Sequence, residues 1–424
     1  MKTHRRISFL VAAILLILAP AALAQEQPAK WSRDWAAEFR QNLQQGILQF
    51  WIDHGIDREH GGMIGWLDRQ GKPIPPGTKS LVEQAQMVWT FAAAYRQFPQ
   101  PAYKDAATHA LKFLREKMSD ARYGGFYWLA DRDGRLMDVK KHLYGQSFAI
   151  AALAEYARAF NDPRARKEAL ALFRLIDSKG HDDVNGGYHE AFMLTWLPLP
   201  DDATLGARGR KSTDGHLHLL ESFTTLYLAT QDAKVRARVE ELLDICLNKI
   251  VDADQGYARI YFTDDWKPAD SETSSYGDDI ELSWLLTEAA EALGRGDDPK
   301  VKKVSLALVD HTLRDGFDRK RGGVWKEGPA QGPARSKRLL WWVQAEATVG
   351  LLNAFQLTGK EEYRQRFEQQ AGYTLDDFAD RQYGEWYNTL EPDGRITGEK
   401  ANESKAAYHA AQACLEVIRR LSQK

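Results

Sequence analysis

The sequence predicts an all-α chain, a closed (α/α)6 barrel of six inner and six outer helices with short β-hairpins at one mouth. Three observations carry that expectation. A Gly-centred segment recurs at Gly61, Gly124, Gly186, Gly256, Gly322 and Gly384, in steps of 62 to 70 residues, and a fixed period is the signature of a repeat architecture. Between these markers the chain reads as pairs of segments with the 3.6-residue apolar period of a helix. In each pair one segment is apolar nearly throughout and the other carries a charged face, as an inner and an outer helix would. A linear solenoid would need polar capping repeats, and no end repeat looks atypical, so a closed ring is expected.

Taken in order, residues 1–24 read as a cleavable secretory signal. Lys2, Arg5 and Arg6 are a positive start, Ile7 to Leu18 is an apolar run, and Ala22-Leu23-Ala24 is a small-x-small cleavage site before Gln25. The apolar run is short for a membrane span, and no later segment is long and apolar enough for one. The mature chain, 25–424, is expected to be one barrel domain, periplasmic or secreted. Its net charge moves from −2 to −5 as the three basic residues leave.

The outer helices are expected at roughly 33–52, 103–118, 163–178, 233–250, 298–314 and 361–377. VRARVEELLDICLNKI (235–250) shows their charged face. The inner helices are expected at roughly 80–97, 142–160, 216–230, 279–293, 340–357 and 405–422, with FAIAALAEYARAF (148–160) as the apolar example. The markers themselves, such as GGFYWLADRDG, run glycine, aromatic residues, aspartate and a second Asp-Gly, which is hairpin grammar. No Pro/Gly/Ser linker divides the chain. The longest irregular stretch, 191–214, is either a lid or a surface excursion.

Composition narrows the function. With 57 Lys+Arg against 59 Asp+Glu there is no basic excess for phosphates, so nucleic-acid binding is not expected. Two cysteines exclude a disulfide scaffold and a Cys-based metal cluster. Cys246 and Cys414 read as separate buried core thiols.

In such a ring each hairpin leads into the start of an inner helix, and the unusual polar residues fall there: Tyr144 and Gln146, Asp214, His218 and Glu221, Asp278 and Glu281, Trp341, Trp342 and Glu346, then Tyr408 and His409. Titratable groups converging on one cleft are site candidates. Asp214, His218 and Glu221 are spaced i, i+4, i+7, and Asp278 and Glu281 i, i+3, so each set shares a helix face. His216 points away from His218, which argues against a metal pair. Asp214 and Asp278 also stand where helix N-caps stand, and a histidine here can be a satisfied core residue. Thirteen tryptophans, many near the helix starts, suit stacking on sugar rings as well as core packing.

These segments carry a resemblance. FW with DREHGG (50–62), KSLVEQAQMVWTF (79–91), KKHLYGQSFAI (140–150), DGHLHLLESFT (214–224), YGDDIELSWLL (276–286), WWVQAEA (341–347) and YHAAQACLEVIRRL (408–421) together resemble the N-acylglucosamine 2-epimerase family, which includes cellobiose 2-epimerases and mannose or aldose–ketose isomerases. The likeness covers essentially the whole mature chain and implies the same barrel. It implies proton transfer at C2 of a reducing mono- or oligosaccharide through an enediolate. Histidine suits the base role there. No cofactor and no metal are implied, and the chain would be a monomer or homodimer that binds a small sugar, neither nucleic acid nor membrane.

By position, His218 and Glu221 match the last His and the Glu of the family's Asn-x-His-x-His-Leu-x-Glu motif, and Glu281 the Glu of Gly-His-Asp-Ile-Glu. His409 matches the C-terminal catalytic His, and Trp341 and Trp342 the sugar-stacking pair. The implied catalytic set is His409, His218, Asp278, Glu281 and Glu221, with Gln86, Tyr144, Asp214, Trp341, Trp342 and Glu346 binding sugar. Four positions depart from the pattern. Gln86 stands for an Arg, Asp214 for an Asn, Asp278 for a catalytic His, and Ser404 for a Trp of cellobiose epimerases. The gained carboxylates leave a second reading open: a glycoside hydrolase or lyase using Asp278 with Glu221 or Asp214, or a carbohydrate-binding member with an altered site.

Overall fold

Twelve α-helices alternate along the residues that the computed structural model describes, 31–199, 202, 211–252, 254–269 and 273–422. The expected leader lies outside the described residues, as do 200, 201 and 203–210 of the irregular stretch 191–214. In chain order the outer–inner pairs are α1 (Trp35–Gln41) and α2 (Leu81–Gln97), α3 (Pro101–Phe113) and α4 (Leu143–Phe160), α5 (Pro163–Gly180) and α6 (Thr213–Thr230), α7 (Ala233–Ile245) and α8 (Tyr276–Ala292), α9 (Pro299–His311) and α10 (Trp341–Thr358), and α11 (Glu361–Tyr373) and α12 (Tyr408–Ser422). All but one of the outer helices run on into π-helical turns, as at Leu114–Met118 and Cys246–Ile250. A 3.6-residue period does not distinguish those turns, so the expected ranges fit the combined element.

The ring closes. Each even-numbered helix packs on the next, and α12 packs on both α10 and α2. Each odd-numbered helix lies outside against an inner one, α3 on α2, α5 on α4, and α1 on α12. Local chemistry starts the helices where expected. Asp162, Asp232 and Asp298 cap α5, α7 and α9, and Ser80, Ser212 and Ser275 cap α2, α6 and α8. The inner helices are buried on nearly every side, which is why their sequences are apolar throughout.

Short antiparallel pairs stitch neighbouring repeats at one end of the barrel. Lys79–Ser80 pairs with Leu129–Ala130, Lys141–His142 with Ala191–Phe192, Lys211–Ser212 with Tyr261–Phe262, Thr273–Ser275 with Glu327–Pro329, and Leu339–Leu340 with Thr389–Leu390. A bridge between Leu67 and Ala401 completes the circle.

Two devices recur among the hairpins. The turn aspartates Asp57, Asp120, Asp182 and Asp380 pair with buried Lys79, Lys141, Lys211 and Lys400 at 2.8–3.2 Å. In five repeats the fourth residue of an inner helix also accepts the backbone N–H two residues after the repeat's first glycine. Gln84 takes Met63, Gln146 takes Phe126, His216 takes Tyr188, Asp279 takes Ala258 and Gln344 takes Val324, at 2.6–3.0 Å. Gln146, which the sequence set among the cleft residues, is such a clamp. At Gly187 (φ +74°) a Cβ would lie 2.5 Å from the Trp266 ring, so both the conformation and the space demand glycine.

The same register sorts the barrel interior into layers. The sixth residues of the first five inner helices are Gln86, Phe148, His218, Glu281 and Glu346, and His409 of α12 joins them by contact with Glu346. Three residues deeper come Trp89, Glu221, Trp284 and Gln412. Among the described residues no helix is long and apolar enough to cross a membrane. Cys246 and Cys414 are free and buried, and burial pushes the Cys246 thiol up to about 12.

Candidate active site

The stitched end of the barrel carries the N-termini of the inner helices, and the first two turns of those helices bring the candidate residues together. Asp214 and Asp278 are not caps. Ser212 and Ser275 do that work, accepting the N–H groups of Gly215 and Asp278 at 2.9 and 3.2 Å. His216 is turned outward, with Nδ1 on the Ser212 carbonyl at 2.7 Å and Nε2 on the hairpin.

Two Glu–His pairs face each other across the axis. His218 Nδ1 lies 3.2 Å from Glu221 Oε2, one helical turn on. His409 Nδ1 lies 2.7 Å from Glu346 Oε1 on the neighbouring helix. The two imidazole centres are 6.4 Å apart. Each carboxylate is itself held from below. Glu221 Oε1 accepts from the Tyr408 hydroxyl and from Gln412 Nε2, the latter at 2.7 Å. Glu346 Oε2 accepts from Trp284 Nε1 at 2.8 Å. Both oxygens of Glu221 are therefore engaged.

The remaining acids crowd His218. Its Nε2 is 3.6 Å from Asp214 and 3.9 Å from Glu281. Burial works against the imidazolium, but the hydrogen bond to Glu221 and the charge of Asp214 outweigh it and raise the His218 pKa. Burial also opposes ionisation of Glu221, yet His218 holds that carboxyl below its usual range. Glu281 goes the other way: burial, then the charges of Glu346 and Glu221, push its carboxyl well above its usual range. Asp278 is pushed up to about 7, by burial first and then by Asp214.

The other expected residues divide. The Tyr144 ring stands edge-on to His218 at 5.0 Å, and burial keeps its phenol protonated. Trp342 lies 6.0 Å from His409 and fills the space a side chain at Gly277 would need. Trp341 goes elsewhere. Only 7% exposed, its ring lies 5.3 Å from the Lys405 ammonium, so the structure separates the two tryptophans that the sequence set side by side. Gln86 takes its place in the sixth-residue layer with Oε1 buried and without a hydrogen-bond partner. Ser404 is exposed, its N–H on the Asn402 side chain at 2.9 Å.

Glu346, expected from the family likeness to bind sugar, is the carboxylate on His409. Sequence reasoning also missed Gln412 and the hydrogen bond of Trp284. A signal for both existed, since each stands three residues after an axial candidate, as Glu221 does after His218. Among the described residues, Glu281, Glu346 and His409 place donor atoms within 4.8 Å of one another, close enough for a metal ion.

Comparison with known proteins agrees with this geometry. The sequence profile described as N-acylglucosamine 2-epimerase matches residues 62–413. The chain is 33% identical to cellobiose 2-epimerase from Bacteroides fragilis, over 90% of this chain and 98% of that protein. It is 24% identical to D-mannose isomerase from Marinomonas mediterranea, over 88% and 95%. The structure of cellobiose 2-epimerase from Spirochaeta thermophila superposes with a TM-score of 0.83 at 35% identity, covering 91% of this chain and 96% of that one.

Proposed function

We propose, from the premise that this chain belongs to the N-acylglucosamine 2-epimerase family and is a sugar 2-epimerase or isomerase, that His409 and His218 are its opposing acid and base at C2. The observation that carries the assignment is the pair of Glu-held histidines with ring centres 6.4 Å apart. Two imidazoles with centres at that separation leave room between them for one reacting carbon, which needs its acid and base at about 3–3.5 Å.

His409 donates its Nδ1–H to Glu346, which leaves Nε2 as the basic atom that takes the C2 proton. His218, whose raised pKa favours the proton-bearing form, returns a proton to the other face, giving the epimer. Delivery to C1 instead gives the ketose. The enediolate oxygen is met by the Tyr144 phenol and by the Glu281 carboxyl, whose pKa burial pushes well up toward the donor form. Asp278, titrating near 7 beside Asp214, moves the ring-opening proton between the ring oxygen and O1. Trp342 stacks on the sugar ring, and Gln86 offers its unpartnered oxygen to a hydroxyl.

The substrate we infer is the reducing-end glucose of a β-linked disaccharide of the cellobiose kind, on the strength of relatives at 33% and 35% identity over nine-tenths of the chain. The leader features of residues 1–24 support an exported enzyme. Proton NMR in D2O tests the chemistry. Cellobiose, glucose, mannose and N-acetylglucosamine are each incubated with the mature protein. Loss of the H2 signal from cellobiose with growth of its epimer is expected, and His409→Ala should slow it by about 10²–10⁴-fold. Full exchange in His409→Ala would remove His409 from the chemistry, and exchange on the monosaccharides alone would remove the disaccharide.

A further inference from the structure

The cleft around the two Glu–His pairs is rich in carboxyls and poor in cations. Asp214, Glu221, Asp278, Glu281 and Glu346 share it with two imidazoles, His218 and His409. A further carboxyl, Glu190 on the third hairpin, accepts from the N–H and hydroxyl of Ser212. Burial first, with the charge of Asp214 adding to it, pushes Glu190 up to about 7. Among the described residues, no lysine or arginine forms an ion pair with any of these six. Where the family pattern has an arginine, the chain has Gln86, a neutral amide in the same layer. Where the pattern has a histidine and an asparagine, it has Asp278 and Asp214. All three exchanges move the charge of the cleft in the negative direction.

Asp214 is the acid that a ligand reaches. Its side chain is 37% exposed, against 3% for those of His218 and Glu281, and its Oδ1 lies 3.6 Å from His218 Nε2. A reacting C2 stands about 3–3.5 Å from its acid and base, so a substituent on C2 falls beside the Asp214 carboxylate. A hydroxyl there donates one hydrogen bond. An ammonium there adds an opposite charge to that bond, in a cleft where little water screens it.

We propose, resting on the C2 chemistry above, that this cleft takes a further substrate class: reducing sugars with a free ammonium at C2, a 2-amino-2-deoxyhexose or the β-linked dimer of one, in preference to their uncharged counterparts. The step balances without a cofactor. His409 Nε2 takes the C2 proton, the C2–H electron pair becomes the C1–C2 double bond, and the carbonyl pair moves to O1, which takes a proton from the donor facing it. Return of a proton to C2 from His218, and of the O1 proton to its donor, gives the epimeric amino sugar. The ammonium stays on C2 and on Asp214 throughout.

Calorimetric titration and H2 exchange in D2O test this at pH 7 on the mature full chain. Glucosamine is compared with glucose and N-acetylglucosamine, and cellobiose reports the C2 reaction itself. Asp214→Asn, which keeps the shape and removes the charge, is run beside wild type. Wild type is expected to bind glucosamine at least about tenfold more tightly than either neutral sugar and to exchange its H2. In Asp214→Asn that preference should fall to about threefold or less, and in wild type it should shrink as salt is raised. The proposal is overturned if glucosamine binds no more tightly than glucose, or if Asp214→Asn keeps the full preference. It is also overturned if glucosamine binds without exchange while cellobiose exchanges, which would make the amine an inhibitor. In each of these cases exchange on cellobiose leaves the C2 reading standing. Absence of exchange on every sugar, cellobiose included, removes that reading and this proposal with it.

Discussion

The surroundings of Asp278 move its carboxyl far from ordinary aspartate chemistry, with a consequence that can be measured. Its carboxyl is raised from 3.8 to about 7, so the folded chain holds this proton more tightly than the unfolded one. The stability it contributes is complete below about pH 4 and is lost as pH rises through 7. Asp278→Asn should therefore melt higher than wild type at pH 8, by the equivalent of a few kcal/mol at most, with the gap closing by pH 4. The limb of the exchange-rate profile near pH 7 should vanish in the same variant. Equal melting curves at both pH values would show that the carboxyl is not perturbed. Glu346 supports a second expectation. Its two oxygens already hold His409 and Trp284, so C2 exchange should survive exhaustive dialysis against EDTA. Loss of exchange that a divalent cation restores would instead place a metal at Glu281, Glu346 and His409.

At the scale of elements, the hairpins and the inner helices share one register. The same first turns that carry Asp214, His218 and Glu281 also carry the clamps His216 and Asp279, which hold the hairpins of their own repeats. Binding face and structural face alternate along one helix, and this is why a cluster of polar residues at a helix start mixes the two kinds. Lys211 measures the structural half. It is buried, pairs with Asp182 at 2.8 Å and donates to the Gly186 and Asp264 carbonyls. Lys211→Met leaves Asp182 buried without its cation and should cost about 3–5 kcal/mol in urea unfolding. The exchange rate per folded molecule should change little. A loss under 1 kcal/mol would mean that the turn holds without its lysine.

At the scale of the whole molecule, ring closure makes the site. His409 reaches Glu346, and Tyr408 and Gln412 reach Glu221, only because α12 returns beside α10 and α2. The last repeat therefore supplies part of the candidate site, and among the described residues the two ends of the ring meet rather than standing free as in a solenoid. The chain before the barrel carries its own expectation. When the full sequence is expressed in a Gram-negative host, N-terminal sequencing of the periplasmic product should begin at Gln25. A product that still begins at Met1 would remove the export reading.

The sequence alone was enough for everything that depends on spacing along one chain. The six-fold period, the apolar inner and charged outer helices, and the shared face of Asp214, His218 and Glu221 all follow from 3.6 residues per turn and from the cost of exposing apolar surface. The family likeness then named the reaction. Tertiary structure decided what depends on neighbours distant in sequence. Glu346 rather than Glu281 holds His409, 63 residues away. Trp341 turns to Lys405 while Trp342 turns to the cleft. Burial and neighbouring carboxylates raise Asp278 and Glu281 above the range of free carboxyls. Local sequence sets which way a side chain leaves its helix. Only packing sets which charges meet it there, and how little water remains to screen them.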